Sequence, residues 1–378
     1  MSSVCAVAAS VRADTRSAVE QLRADLPGSW SAVFVFHGTA HDSAVLAEAV
    51  AEAFVGSVTL GCTTMGEVGP LGLTSGGLCA FALGAQARLA VEVVEDTPGF
   101  VFSEGEALME KLSAALGLQR EELSAGRHLL LTLTDGLSGA EERVVAALSL
   151  SAPGLSLVGG SAGDDLRMGG TTVFLDGRAW PSATLVALIE PSVAFHPFAV
   201  HHFRPGQRRV VVTRADPDAR VVHELDGWPA EHIYEDLAGL DRGALASEPM
   251  LPSAGSICFG IRVADTFFMR SPFCGSDGSL VMRGAVADGD VLQVMHGQDL
   301  VEDTRARMSR ELAELDEPAG ALLFNCGGRL LAARARGLEA ELADAMLFLP
   351  AAGFSTYGEQ FGPLLVNHTL AGVVFGSA

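Results

Sequence analysis

Lysine is almost missing from this 378-residue chain. Of its 25 basic residues one, Lys111, is a lysine and the rest are arginines. That single amine, preceded by Glu110 on a helix-like stretch, rules out a phosphate-cradling loop ending in Gly-Lys and leaves Schiff-base chemistry one solvated position. Cysteine is sparse and scattered. Cys5, Cys62, Cys79, Cys258, Cys274 and Cys326 form no Cys-x-x-Cys pair and have no histidine at finger spacing, which argues against structural zinc and a disulfide framework. Positive charge is short overall: 46 acids give a formal charge of −21, and the densest basic cluster is only Arg204, Arg208 and Arg209. Nucleic acid and anionic membrane are therefore poor partners. The opening MSSVCAVAASVRADTR lacks the charged start and apolar run of a secretory leader. The longest uncharged stretch, Val144 to Gly163, contains Pro153 with several glycines and serines, and reads as helix end, turn and strand rather than a membrane span. A soluble, cytoplasmic protein is expected.

What is present is apolar and rich in glycine, with 49% hydrophobic residues and 43 glycines against 19% charged. The chain is too long for one ordinary core and too apolar for disorder, so two domains are expected. One pattern occurs three times: an apolar strand, a helix-compatible stretch, and a second strand running into a glycine turn closed by an acid. The copies run from AVFVFHG to SVTLGCTTMGE (32–67), from HLLLTLTDG to LSLVGGSAGDD (128–165), and from GALLFNCGG to GFSTYGE (320–359). Each reads as a β-α-β unit with parallel strands, and ligands favour the carboxyl ends of such strands. The expected fold is α/β, in two related parts with mixed, partly parallel sheets and helices packed on them. The parts are placed at 1–220 and 221–378. Asp176-Gly177 marks a two-residue hairpin. Ser138 and Glu141 suggest a capping box.

The strings GCTTMGEVG, DGLSGAEE, LVGGSAGDD, VVTRAD with HELDGWPAEHIYEDL, the NCGGR segment, and GFSTYGE with NHT resemble, in that order, FIST-domain proteins, as an N-terminal FIST part and a FIST C part. The resemblance covers Ala32 onward, and no F-box-like leader precedes it. It implies a non-enzymatic sensory module of bacterial signal transduction. Such a module binds a small polar ligand such as an amino acid and acts with a histidine kinase or a cyclic-dinucleotide enzyme. Some members carry haem and respond to nitric oxide. The chain holds no transmitter of its own, so its output would pass through a partner or through self-association.

The best site candidate lies in the third copy. Asn325, Cys326 and Arg329 follow its first strand, Tyr357 and Glu359 close its turn, and Asn367 and His368 come next, expected on a strand. A guanidinium beside a carboxylate could hold both ends of an amino acid, or Arg329 and Glu359 could simply pair with each other. Glu67 and Asp164 close the other two turns, and Asp135 ends a strand before Gly136. These acids could converge on one pocket, or each could accept the amides of its own loop. Cys326 with His368 and Asn367 suggests a thiol nucleophile, base and orienter, the basis for a hydrolase or transferase alternative, although adjacent strand residues would point to opposite faces. Ser161 spells G-x-S-x-G, but no helix follows it, so it is a repeat of turn geometry. Among phenylalanines, His196, His201 and His202 are the positions where a haem b could be ligated, although no cofactor is expected. Trp228 is expected to pack between the halves, and Glu231, His232, Tyr234 and Glu235, which could line a cleft, to lie on a solvated helix face.

Overall fold

The computed structural model describes residues 3–247 and 256–377, with 273–276 in backbone only. The chain passes three times through one order of elements: strand, helix, strand, helix, strand, hairpin, strand. The first pass comprises β1 (Cys5–Ser10), α1 (Thr15–Asp25), β2 (Trp30–His37), α2 (Ser43–Ala53), β3 (Val58–Thr63), β4 (Glu67–Gly69), β5 (Gly72–Thr74) and β6 (Leu78–Gly84). The second comprises β7 (Arg88–Val94), α3 (Glu104–Ala115), β8 (Leu129–Thr134), α4 (Glu141–Ser151), β9 (Ser156–Ser161), β10 (Thr172–Leu175), β11 (Arg178–Pro181) and β12 (Thr184–Glu190). The third opens with β13 (Phe195–His201) and is then interrupted. The insertion holds β14 (Phe203–Asp216), β15 (Val221–Leu225), β16 (Trp228–Pro229), α5 (Ala230–Ala238), α6 (Ala244–Ser247), β17 (Ile257–Val263), β18 (Thr266–Arg270), β19 (Pro272–Ser276), β20 (Ser279–Met282) and β21 (Val291–Gly297). The pass resumes with α7 (Leu300–Leu312), β22 (Pro318–Cys326), α8 (Gly327–Arg334), α9 (Glu339–Met346), β23 (Ala351–Thr356), β24 (Glu359–Phe361), β25 (Leu364–Val366) and β26 (Thr369–Gly376).

Three six-stranded sheets result, ordered β1-β6-β2-β3-β10-β11, β7-β12-β8-β9-β24-β25 and β13-β26-β22-β23-β4-β5. In each, the two strands of a β-α-β unit are parallel, paired as Ala32 with Val58, Leu129 with Ser156, and Ala321 with Ala351. Each hairpin leaves its own sheet: β4 pairs with β23, β10 with β3, and β24 with β9. Every pass is thus completed by a hairpin from another, and the three close into a ring. The insertion forms a fourth, eight-stranded antiparallel sheet. The architecture is mixed α/β in two sheet-rich parts, with helices on the sheets. Residue 220, where a boundary was expected, is the left-handed turn (φ 55°) between β14 and β15.

One apolar core lies where the three sheets face each other, and it includes Phe34, Phe36, Phe81, Leu131, Leu133, Phe324 and Phe354. Helices cover the outer faces, α1 and α2 on the first sheet, α3 and α4 on the second, α7 to α9 on the third. Burial on both faces explains why β8 reads LLLTLT without polar alternation. Asp14, Asp42 and Asp299 cap α1, α2 and α7 by accepting first-turn amides. The hairpin at Asp176-Gly177 forms as expected, both residues at positive φ. Among the described residues no helix is long and apolar enough to cross a membrane. The described cysteine side chains are buried and free, while that of Cys274 lies outside the described residues.

Local expectations fail where the insertion docks. The Ser138–Glu141 box does not form: α4 begins without a side-chain cap, and Glu141 instead takes Arg220 at 2.9 Å. Trp228 does not pack between halves and is 66% exposed. Glu231, Tyr234 and Glu235 are buried rather than solvated, with Tyr234 donating to the Ile257 carbonyl. A sheet that exists only through long-range pairing covers this helix face, and local sequence carries no trace of it.

Gly61, Gly159 and Gly353 hold equivalent places on β3, β9 and β23. A Cβ there would lie 1.8, 2.2 and 1.8 Å from the neighbouring strand's Val35, Thr132 and Leu323 carbonyl oxygens. Gly353→Ala is expected to destabilise by about 3 kcal/mol or prevent folding, since backbone is the obstacle. Gly126→Ala, with open space around it, should be neutral. Thermal melts of the two variants check this, and equal melting temperatures would refute the close approach.

Candidate functional site

The glycine turns at the carboxyl ends of β3, β9 and β23 meet through their backbones. Met65 N–H donates to the Ser355 carbonyl at 3.0 Å, Gly163 N–H to Thr63 at 3.1 Å, and Tyr357 N–H to Ser161 at 3.0 Å. These three cyclic bonds define the register of the repeat. By that register the equivalent of Glu67 and Glu359 is Asp165, whereas Asp164 stands at the place of Gly66 and Gly358. The sequence alignment was therefore one residue out in the second copy.

The carboxylates are saturated locally. Glu67 accepts from Thr64 Oγ1 (2.9 Å), Thr74 Oγ1 (3.0 Å) and Gly77 N–H (3.1 Å), and burial raises its pKa despite them. Asp164 accepts from the Tyr357 hydroxyl and from the N–H groups of Met168, Gly169 and Gly170. Burial alone would raise Asp164, but these donors outweigh it and hold the carboxyl below its usual range. Tyr357 also accepts from Leu166 N–H at 2.8 Å, so it ties the third turn to the second. Asp135 accepts from the Thr171 hydroxyl and from Leu137 N–H. These acids hold loops, as backbone amides without other partners require.

Arg329 is different. It sits in the first turn of α8 and is wholly buried, yet among the described residues no carboxylate pairs with it. Nε donates to Asn325 Oδ1 (2.9 Å) and Nη2 to Thr304 Oγ1 on α7 (2.8 Å), while Nη1 has no partner. Burial lowers its pKa to about 10, which leaves it charged at neutral pH. A direct pair with Glu359 does not form. Glu359 instead accepts from the Thr356 hydroxyl, Thr369 N–H and the Cys326 thiol, and burial pushes it up to about 8. Asn325 Nδ2 in turn donates to Ser355 Oγ, so its orientation is set from both ends.

Three imidazoles surround the guanidinium. His201 and His368 are driven down to about 4 and His202 well below its usual value, in each case by burial first. Arg329 adds to all three shifts, and Arg307 on α7 adds to that of His201. His202 is buried with Nδ1 unpartnered. His368 is at 2.8 Å from Ser271 Oγ, and Asn367 Oδ1 accepts from Ser271 N–H. Both occupy the turn between β25 and β26, His368 at φ 49°, and not the strand expected for them. A tight turn lets neighbours reach one partner where a strand would send them to opposite faces.

The imidazole of His368 thus serves Ser271. Cys326 receives the backbone N–H groups of Gly328 and His368, and burial pushes its thiol up to about 12. Such a thiol is not an activated nucleophile. The haem positions fare no better. His196 is bonded to Glu311 (2.9 Å), and His201 accepts from Phe203 N–H and meets the Phe267 carbonyl. His202 lies beside a guanidinium that would oppose ferric charge, so these residues do not fit axial ligation. Among the described residues no cluster of three or more metal-binding side chains occurs. Thr304, Arg307 and Ser271 were not anticipated, because they reach the site from α7 and the inserted sheet with no motif around them.

Cys326 should alkylate slowly at neutral pH in folded protein and rapidly on unfolding; fast modification of the native thiol would restore the nucleophile reading. Glu359 gives a pH dependence. A carboxyl raised on folding stabilises below its unfolded value and loses that contribution as pH rises through about 8. Between about pH 6 and 9 the wild type should lose more melting temperature than Glu359→Gln, and equal losses would show that Glu359 is already ionised.

The FIST N domain model matches residues 31–228 and the FIST C domain model residues 230–362. Two proteins of Mycobacterium tuberculosis, one from each of two strains and both described only as uncharacterized, are 29% identical to it over 265 residues, 65% of this chain and 65% of each relative. This alignment spans just under two thirds of either partner. With its three turns, its inserted sheet and the two matches covering nearly its whole length, the chain belongs to the FIST family.

Proposed function

We propose that this chain is the sensory element of a signal-transduction system and binds a small polar ligand through an anionic group at Arg329. The observation that carries the reading is a buried, charged guanidinium with a free Nη1 beside a buried histidine with a free Nδ1, in a protein of formal charge −21. An uncompensated buried charge costs several kcal/mol, and a bound anion is the natural way to offset it. Acids were abundant enough to supply a fixed partner, and none is placed there among the described residues.

Arg204 is 55% exposed, Arg307 is half-buried and Arg329 is fully buried, and all three charges act on His201, so positive potential extends from the surface toward the site. Amino acids and small organic anions are the ligands to try, since each offers an oxyanion that matches the guanidinium edge. The site joins α8 of the third pass to α7 and to the β13–β14 crossing into the inserted sheet, so a ligand there touches both sheet-rich parts. Binding that favours one arrangement of the parts shifts their equilibrium by its differential affinity, and a partner such as a histidine kinase or cyclic-dinucleotide enzyme would read the change. Turnover has no place in this scheme, because the nearest thiol is neutral and the acids are held by loops.

A thermal-shift screen of amino acids and small organic anions tests the reading. At least one should raise the melting temperature of wild type, and Arg329→Gln should weaken it at least about tenfold. Stabilisation that survives the substitution, or none in any arm, would overturn the site.

A further inference from the structure

We propose that the ligand group held at Arg329 is a compact dianion, a phosphoryl group or a dicarboxylate, and not the carboxylate of a zwitterion; this deepens the reading above and rests on it. The guanidinium's geometry comes first. One edge is occupied, Nε by Asn325 and one Nη2 hydrogen by Thr304, which leaves both Nη1 hydrogens and the second Nη2 hydrogen. That remaining edge is the one an oxyanion takes through two parallel hydrogen bonds. Asn325 and Thr304 also fix its plane, so the donors are set before the ligand arrives.

The count of charges comes second. Arg307 makes no ion pair or hydrogen bond through its side chain among the described residues, and its Nε is buried without a partner. Arg307, Arg329 and Arg204 are the charges acting most strongly on His201. Asp303 offsets one of the three through Arg204 at 3.4 Å. Glu311 also acts on Arg307 and Glu359 on Arg329, but Arg310 opposes the first and the carboxyl of the second is raised to about 8, so positive charge remains over the locus and a dianion offsets more of it than a monoanion does.

The third observation concerns what an ammonium would meet. Glu359 is filled by Thr356, Thr369 and Cys326, and the nitrogens around Arg329 are donors or belong to imidazoles. The carboxylate oxygen left free for an ammonium is Asp303 Oδ2, and Asp303 is bonded to Arg204 and acts on Arg307, in whose field an ammonium is repelled; the neutral imidazole of His202 offers at most one uncharged acceptor. A dianion meets no such conflict, and its second charge is attracted by Arg307.

Calorimetric titration of the full chain at constant ionic strength, near pH 7.5, with inorganic phosphate, succinate, acetate and alanine decides the matter. Phosphate or succinate should bind at least about tenfold more tightly than acetate and alanine, and which of the two binds identifies the source of the dianion. Arg307→Gln, a change at a half-buried position, should cut that preference at least about fivefold and leave acetate nearly unchanged. Alanine binding as tightly as the dianions, and lost in Arg329→Gln, would overturn the charge assignment while sparing the site. Binding of nothing to wild type would overturn both, and dianion binding indifferent to Arg329→Gln would place it elsewhere and refute the proposal.

Discussion

Everything in this molecule depends on the exchange of hairpins among its three repeats. A β-α-β unit alone leaves the outer edge of its second strand unpaired, and an open edge is a liability. Here β10, β24 and β4 each cover the edge left by another pass. The cyclic bonds from residues 65, 163 and 357 lock the strand ends at the point of exchange. Close approach at Gly61, Gly159 and Gly353 follows from the same need, since parallel strands so near their neighbours leave no volume for a Cβ.

That closure accounts for the acids. Turns built from glycine and small residues have no side chains to satisfy their own amides, so a carboxylate at the end of each must do it. Glu67 and Glu359 are near copies in this respect, each taking a threonine hydroxyl three residues back and an amide at the start of the next strand. The repetition that drew attention to these acids is therefore structural. The candidate site lies where the repetition breaks. Only the third pass carries an insertion, and only there does a buried arginine stand without a carboxylate among the described residues.

The insertion is fastened to the ring by polar contacts that cross between parts. Arg220 reaches Glu141 and Glu142 on α4, and Arg270 donates to the Leu365 carbonyl. Ser271 meets both Asn367 and His368. Inter-part contacts of this polar kind permit relative movement more readily than a large apolar interface would. The family is associated with signal-transduction sensing.

By itself the sequence determined the β-α-β repeats, the Asp176-Gly177 hairpin, the apolar strands, and the residues Asn325, Cys326, Arg329 and His368 as a group, because period, turn chemistry and local spacing are properties of neighbours along the chain. It also carried the family resemblance. Tertiary structure alone decided that the hairpins trade sheets, that Asp165 rather than Asp164 matches Glu67, and that Glu231 and Glu235 are buried. It decided too that Arg329 meets Thr304 and, among the described residues, no carboxylate. Those outcomes rest on pairings between segments far apart in the chain, and the energy of a buried charge depends on which groups arrive from elsewhere, which no local pattern encodes.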